Sequence, residues 1–183
     1  MELLDVLDEN GRPTGKVEDR KIIHEKGLWH YHVGIWIINK QGEILFQKRT
    51  HNKKRNPDKW ARTGGHVAAG ESPFEGIIRE TNEELGIKLN KKDISLLGIE
   101  KHIIDNKDGI INRTYNYIFL AIVDYKISEY VLQKEEVSEV KYMTLEEMIK
   151  EKENKNKDYT FYNWDEENFT RHVEWIKEGM KKI

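Results

Sequence analysis

Residues 65–87 read GHVAAGESPFEGIIRETNEELGI, a stretch that combines a loop, the start and end of a helix, and a cluster of carboxylates. Ser72 is a favourable N-cap, Pro73 suits the first helical position, and Glu75 completes a capping box. Gly86 supplies a left-handed stop at the other end. The stretch therefore predicts a helix that begins after Ser72 and ends before Gly86.

The predicted helix has two chemically different sides. The apolar side, which should lie on a core, consists of residues that recur at helical spacing: Phe74, Ile77, Ile78, Thr81 and Leu85. On the other side, a rotation of about 100° per residue places Glu80, Glu83 and Glu84 within an arc of roughly 100°. Three carboxylates therefore share one partly shielded face.

This acidic face is costly unless something positive lies beside it. Carboxylates at these spacings repel one another, and acids in a last turn oppose the helix dipole. Arg79 can hold one carboxylate, but a single guanidinium cannot neutralise three. A divalent cation can, and hard ions such as Mg2+ take oxygen ligands while bridging to substrate phosphates. The alternative for each glutamate taken singly is a solvated helix face.

The stretch resembles the Nudix box, whose pattern is Gly, five residues, Glu, seven residues, then Arg-Glu-apolar-x-Glu-Glu-x-Gly-apolar. The residues that match in register are Gly65, Glu71, Arg79, Glu80, Glu83, Glu84, Gly86 and Ile87. Thr81 departs from the pattern, which prefers a larger apolar residue there, and we expect only a modest packing defect. The resemblance implies the Nudix fold: an α/β/α sandwich with a mixed β-sheet, an N-terminal β-hairpin and a C-terminal helix.

The same resemblance implies a site and a reaction. Glu80, Glu83 and Glu84, together with the carbonyl of Gly64, would hold Mg2+ or Mn2+. One glutamate, here taken as Glu83, would act as base for the attacking water, and Arg79 would orient the cluster. The expected reaction is hydrolysis of a diphosphate linkage in a small molecule, with a nucleoside diphosphate derivative as the expected substrate.

Composition limits the number of domains, the partners and the cellular location that are expected. The 183 residues suit one domain over residues 1–183, and the formal charge of -2 gives no reason to expect long nucleic acid or membrane as a partner. The chain has no cysteine, which excludes disulfides and thiolate catalysis and fits a cytoplasmic location. The N-terminus MELLDVLDEN lacks the basic region of a signal peptide, and no apolar run approaches about 18 residues.

The order of predicted elements is consistent with this fold. Strands are expected at residues 2–7, 15–19, 31–38, 43–47, 60–63, 94–104 and 110–123, and helices at 145–151 and 165–180. The Asn10-Gly11 pair predicts the turn of the first hairpin, and DNKDG predicts the turn before residue 110. The last helix could pack on the domain or form a homodimer.

A basic loop precedes the box. Among its charged residues we expect Lys48, Arg49, Lys53 and Lys54 to bind substrate phosphates, because the loop resembles the basic segment of diphosphate-binding Nudix proteins. The alternative is a solvated basic loop. A later stretch with Glu135, Glu136 and Glu139 resembles the segment where Nudix proteins often add an acidic ligand or base, although a surface loop is the alternative for each residue.

The chain order also resembles isopentenyl diphosphate isomerase. His24, His30 and His66 fall at or near positions that resemble the metal-binding histidines of that enzyme, which leaves open a second metal site. The alternative is that these are ordinary packed or surface histidines.

Three positions separate the chain from the isomerase. Gly64 stands where the isomerase has its catalytic cysteine, and Asn112 and Thr114 stand where it has two acidic ligands. Moving a proton between carbons needs a positioned acid, and nothing replaces the cysteine. A third possibility, a non-catalytic ligand sensor, would not need the box carboxylates that this chain retains.

Overall fold

The computed structural model describes residues 2–105 and 111–183, with no side-chain description for residue 105. These residues cluster into two compact units. The first unit comprises Met1–Gly34, Gly64–Glu80 and Leu96–Phe119, and the second comprises Ile35–Thr63, Thr81–Ser95 and Leu120–Ile183. The expectation of one domain over residues 1–183 remains a prediction.

The described residues form a mixed β-sheet with helices, which confirms the α/β class. The strands are β1 (Leu3–Leu7), β2 (Pro13–Asp19), β3 (Trp29–Ile38), β4 (Ile44–Arg49), β5 (Trp60–Ala61), β6 (Thr63–His66), β7 (Ile94–Asp105), β8 (Ile111–Ile122) and β9 (Val137–Met143). The α-helices are α1 (Arg20–Lys26), α2 (Pro73–Leu85), α3 (Leu145–Glu153) and α4 (Glu166–Met180). None of the helices within residues 2–105 and 111–183 is long and apolar enough to cross a membrane.

The first unit begins with the predicted hairpin. Strands β1 and β2 pair antiparallel, and β1 also pairs with the start of β3. Gly11 has the positive φ of 77° that the turn requires, and the Asp8 carboxylate accepts hydrogen bonds from two backbone N–H groups of the turn. The hairpin is therefore confirmed, with a return strand that starts at Pro13 rather than Gly15.

The second unit is built around β4, which pairs antiparallel with the end of β3, with β5 and with β9. Its core contains the large side chains of Trp36, Phe46 and Phe161. The Trp36 indole N–H donates to Nδ1 of buried His172 at 3.0 Å, so helix α4 packs on this core through the face that carries His172. Phe169, Val173 and Ile176 on the same face are also buried.

Helix α1 and strand β9 were not predicted, and more than one predicted strand was wrong in its limits. Helix α1 has seven residues and a single buried one, Ile23, so it shows no apolar period. Strand β9 buries every third residue rather than every second, so it does not show the alternation of a strand. The strand expected at 60–63 is divided into β5 and β6, and β6 continues through both glycines to His66. The predicted turn at 105–109 falls on residues outside the described backbone, except for its first residue.

Candidate active site

Helix α2 has the caps that its sequence predicts. The Ser72 N–H donates to the Glu75 carboxylate at 2.7 Å, and the Glu75 N–H donates to the Ser72 hydroxyl at 3.3 Å. Gly86 ends the helix with φ of 70°. Ile77 and Thr81 are fully buried, which confirms that the departure from the box pattern at Thr81 lies on the core side.

The three acidic side chains of α2 differ in exposure. The Glu80 side chain is 15% exposed and Glu84 is 4% exposed, whereas Glu83 is open to solvent. The acidic face is therefore partly shielded, as expected, with Glu83 at its solvent edge. Glu83 can meet an incoming water directly, whereas the orientation of Glu84 depends on protein partners.

In the first unit, Arg79 connects the box loop to the helix. Its guanidinium donates to both carboxylate oxygens of Glu71 at 2.9 and 3.1 Å, to Glu80 at 2.9 Å and to the carbonyl of His66 at 2.9 Å. Burial by itself lowers the pKa of Arg79, but the bonds to Glu71 and the charge of Glu80 outweigh it, so the pKa is raised. A charged, bidentate arginine of this kind fixes carboxylate geometry, which supports the predicted orienting role.

The two glycines before His66 are required by close approaches. A Cβ at Gly65 would lie 2.4 to 2.5 Å from the carboxylate of Glu80, so that carboxylate occupies the space of a side chain at position 65. A Cβ at Gly64 would lie 2.2 Å from the carbonyl oxygen of Val33. The loop is therefore shaped to admit a carboxylate beside its backbone.

In the second unit, Glu84 is held by a chain of buried polar groups. The Gln47 amide donates to Glu84 Oε2 at 2.8 Å, and the Thr63 hydroxyl donates to Gln47 Oε1 at 2.8 Å. Sequence reasoning missed Gln47 and Thr63, although a glutamine within the apolar run EILFQ was a signal that a polar partner lies inside.

The donor set of α2 fits a hard divalent ion. It consists of carboxylate oxygens at i, i+3 and i+4, one of them resting against a glycine backbone and one of them buried. Mg2+ and Mn2+ prefer such oxygen ligands. Glu80, Glu83, Glu84 and the carbonyl of Gly64 are thus chemically suited to the predicted role.

Two of the four residues predicted to bind phosphate contact acidic side chains, and Lys48 and Arg49 lie at the end of β4 rather than in a loop. Lys53 forms an ion pair with Glu136, and Lys48 Nζ lies 3.9 Å from the Glu139 carboxylate. The late acidic residues for which a metal or base role was considered therefore contact the basic loop. Arg49 donates from Nε to the carbonyl of Arg55 at 3.1 Å. Lys54, in contrast, is exposed.

A histidine cluster lies in the first unit. His24, His30 and His66 each offer a ring nitrogen, and these atoms all lie within 4.8 Å of one another. His30 Nδ1 is 3.0 Å from the carbonyl of Leu28, which can only accept, so the proton is on Nδ1 and Nε2 carries the lone pair. Nε2 of His30 is buried and has no hydrogen-bond partner within the described part of the chain. His66 directs Nδ1 towards Glu2, at 3.5 Å.

Two histidines of the cluster have lowered pKa values, and the cluster lacks the isomerase carboxylates. Burial lowers the pKa of His30 to about 4, and burial followed by the charge of His32 lowers the pKa of His66 well below its usual value. Neutral imidazoles are the form that binds metal. Asn112 has a buried side-chain oxygen with no hydrogen-bond partner among the described residues, and Thr114 is buried.

The lowered pKa of His30 predicts a pH-dependent stability. Because the folded state holds a proton less readily than the unfolded state, the stabilisation is present above about pH 6.5 and is lost as the pH falls through about 4. The change in the pKa of His30 from 6.5 to about 4 corresponds to roughly 3 kcal/mol of folding free energy. Urea unfolding in EDTA at neutral pH and at about pH 5 measures it. His30→Gln should flatten the dependence, whereas replacement of the exposed His51 should not, and an unchanged slope in His30→Gln would contradict the assignment.

Comparison with known proteins identifies the family of this chain. The NUDIX domain model matches residues 28–165. An uncharacterized Nudix hydrolase of Clostridium acetobutylicum is 34% identical over 161 residues, covering 84% of this chain and 75% of that protein. Nudix hydrolase 3 of Arabidopsis thaliana is 34% identical over 151 residues, but this chain spans only 20% of its length.

Two further similarities concern the branch and the fold. An isopentenyl-diphosphate delta-isomerase of Streptomyces avermitilis is 29% identical over 151 residues, covering 80% of this chain and 73% of that protein. The crystal structure of DR0079 from Deinococcus radiodurans superposes with a TM-score of 0.64 at 18% identity, covering 84% of this chain and 90% of that chain. The fold class and the hydrolase class expected from the box are confirmed, as is the isomerase-like branch expected from the chain order. The chain belongs to the NUDIX domain family.

Proposed function

We propose that this protein is a divalent-metal-dependent hydrolase that cleaves a diphosphate linkage in a nucleoside diphosphate derivative. The observation that carries the proposal is the retention of every box carboxylate on α2, with Arg79 bound to both Glu71 and Glu80. A ligand sensor would not need this arrangement. The family relatives named as hydrolases support the reaction class.

In the proposed mechanism, Glu80, Glu83 and Glu84 with the carbonyl of Gly64 would hold Mg2+ or Mn2+, and the ion would supply neutralisation of phosphate charge and polarisation of the phosphoryl group. Arg79 keeps Glu80 in place, because its guanidinium donates to Glu80 and is itself anchored by Glu71. Glu83, the exposed carboxylate, takes the proton of a water whose oxygen adds to phosphorus. The bond from that phosphorus to the bridging oxygen breaks, and the second phosphate leaves with the bridging oxygen and its electron pair.

The rival function is isomerisation of isopentenyl diphosphate, favoured by the Streptomyces relative and the histidine cluster. The cysteine-free chain has no thiol to deliver a proton, and a side chain at position 64 would collide with the Val33 carbonyl. Hydrolysis therefore remains the better supported reaction.

The experiment that tests the proposal is a substrate screen with Mg2+ or Mn2+. Nucleotide sugars, dinucleoside polyphosphates, nucleoside triphosphates and prenyl diphosphates are incubated separately and scored by chromatography of the products. We expect phosphorylated products from at least one nucleoside diphosphate derivative, and none in EDTA. Turnover that is equal with and without EDTA would contradict metal dependence.

We further propose that the histidine cluster binds a second, borderline ion such as Zn2+ or Co2+, because its ligands are neutral nitrogens rather than carboxylates. Titration with Co2+ should give visible absorption bands that excess Mg2+ does not remove. His24→Asn should abolish these bands, and His51→Asn, a change at an exposed position, should retain them. Identical spectra in both variants would refute the site.

A prediction about the basic loop follows from its ion pairs. Lys54→Ala should raise KM by about threefold to tenfold for a triphosphate, with kcat unchanged, because an exposed lysine can give uniform phosphate binding. Lys53→Ala should have a smaller effect, because Glu136 already neutralises that charge. Steady-state kinetics at low salt compare the two variants, and an unchanged KM in both would assign the loop to the solvated surface.

We also propose a cellular location and an assembly state for the protein. A cytoplasmic location fits the absence of cysteine from the sequence. Formation of a homodimer is the remaining prediction, and light scattering on the purified protein measures it.

A further inference from the structure

We propose that Gln47 and Thr63 are positioning residues, which fix the carboxylate of Glu84 in the orientation that binds the metal ion. This inference rests on the proposed function, since it assigns Glu84 to a metal site. The three side chains form one hydrogen-bonded chain within the second unit, from the Thr63 hydroxyl through the Gln47 amide to the Glu84 carboxylate.

The hydrogen-bonded chain runs in one donor-to-acceptor direction, from Thr63 to Gln47 to Glu84. An ionised Glu84 can only accept, so the NH2 group of Gln47 must face it, and the amide oxygen of Gln47 must then face Thr63. The Thr63 hydroxyl donates to that oxygen and so anchors the amide, whereas a flipped amide would place its oxygen against the Glu84 carboxylate. Both hydrogen bonds measure 2.8 Å, close to the optimum for their type.

Burial strengthens the hydrogen bonds of this hydrogen-bonded chain. Gln47 and Thr63 are each 3% exposed, and Glu84 is 4% exposed. In such surroundings a hydrogen bond is electrostatically stronger than in water, and leaving a polar group unpaired is destabilising. A buried carboxylate therefore keeps the orientation in which its amide donor holds it.

Backbone hydrogen bonds fix both residues of the Gln47–Glu84 contact. Gln47 lies in β4 opposite Ala61 of β5 and Val140 of β9, so its backbone is paired on both sides. The end of α2 is fixed as well, because the N–H of Gln133 donates to the carbonyl of Glu84 at 3.1 Å. With both backbones fixed, the Gln47 amide sets the rotation of the carboxylate.

Groups that orient metal ligands typically change metal affinity or activity by about 10 to 100-fold when they are removed. Gln47 and Thr63 should act in this way through Glu84. Thr63 also immediately precedes Gly64, so one short segment would supply a proposed backbone ligand and the support for a carboxylate ligand.

The test uses near-isosteric variants of the full-length protein. Mn2+ binding is measured by electron paramagnetic resonance of free Mn2+ without substrate, together with urea unfolding in EDTA. Thr63→Val and Gln47→Met, which remove hydrogen bonds at similar volume, should each weaken Mn2+ binding by about tenfold. Thr63→Ser, which keeps the hydroxyl, should bind Mn2+ within about twofold of the wild type. The double variant should be no weaker than Gln47→Met alone, since the two residues act through one chain.

The outcomes separate this inference from the proposed function. Unchanged Mn2+ affinity in Thr63→Val and Gln47→Met, with or without reduced stability, would overturn the positioning role even if the wild type hydrolyses diphosphates. Absence of Mn2+ binding in the wild type would overturn it too. If the wild type binds Mn2+ but hydrolyses nothing, the proposed reaction fails while the affinities still decide the role of Gln47 and Thr63. If Gln47→Met does not fold, the contrast between Thr63→Val and Thr63→Ser decides alone.

Discussion

Replacing Glu84 with glutamine should lower kcat with Mg2+ by at least about 100-fold, which corresponds to about 3 kcal/mol of transition-state stabilisation. The change removes one negative charge from the proposed metal site and leaves the shape of the side chain intact. Because the new amide can still hydrogen bond with Gln47, the fold should persist. The melting temperature without metal should hold or rise, since repulsion between Glu80 and position 84 is relieved.

The measurements are kcat and KM at saturating Mg2+ and thermal unfolding in EDTA. Glu167→Gln is a matched control, because that side chain is 89% exposed on α4. The control should behave like the wild type in both measurements. Full metal-dependent turnover in Glu84→Gln would show that the acidic face of α2 is only a surface of the helix.

Replacing Gly64 should be strongly destabilising and should not create an isomerase. A Cβ there would lie 2.2 Å from the carbonyl oxygen of Val33 and 2.9 Å from the Cα of Gly34, and backbone atoms cannot yield as a flexible side chain can. We expect Gly64→Ala to lower the free energy of unfolding by about 3 kcal/mol, at the upper end of typical overpacking costs. Urea unfolding measures this loss.

Gly76→Ala is the matched control, because the nearest atom to its Cβ would be in the Val67 side chain, at 3.1 Å, and alanine favours a helix interior. Gly64→Cys tests the isomerase comparison, with NMR of isopentenyl diphosphate as the assay. A Gly64→Cys protein as stable as the wild type that forms dimethylallyl diphosphate would contradict this account of position 64.

The part of the site that lies within one helix could be predicted, because its signals are local. Ser72, Glu75 and Gly86 define α2 through contacts with residues a few positions away, and the helical period places Thr81 on the buried side. The family resemblance then assigned chemistry to the carboxylates. Exposure could not be predicted in the same way, because it depends on the elements packed around each glutamate.

Partners that are distant in sequence could not be predicted from spacing. Glu84 meets Gln47 from 37 positions away, and Lys53 meets Glu136 from 83 positions away. Strand β9 shows the same limit, because its pattern of burial is not that of an isolated strand and its identity comes from pairing with β4. Tertiary pairing thus overrides local propensity.

The contact between Arg79 and Glu71 could be predicted only in part from the sequence. Both residues belong to the box pattern, and they are eight positions apart. A helical projection cannot show the contact, however, because Glu71 lies in the loop before Ser72. That loop folds back through the hydrogen bond from the Ala68 N–H to the Glu71 carboxylate. The geometry therefore explains why Arg79 and Glu71 occur together in one motif.

The most direct test of the central claim follows oxygen from water into product. The purified protein is incubated with Mg2+ and nucleoside diphosphate derivatives in water enriched in heavy oxygen, and the products are analysed by mass spectrometry. A parallel incubation with isopentenyl diphosphate is followed by NMR. We predict phosphorylated products that carry one heavy oxygen on phosphorus, and no dimethylallyl diphosphate. Formation of dimethylallyl diphosphate at enzymatic rates, with no hydrolysis of any diphosphate, would contradict the account.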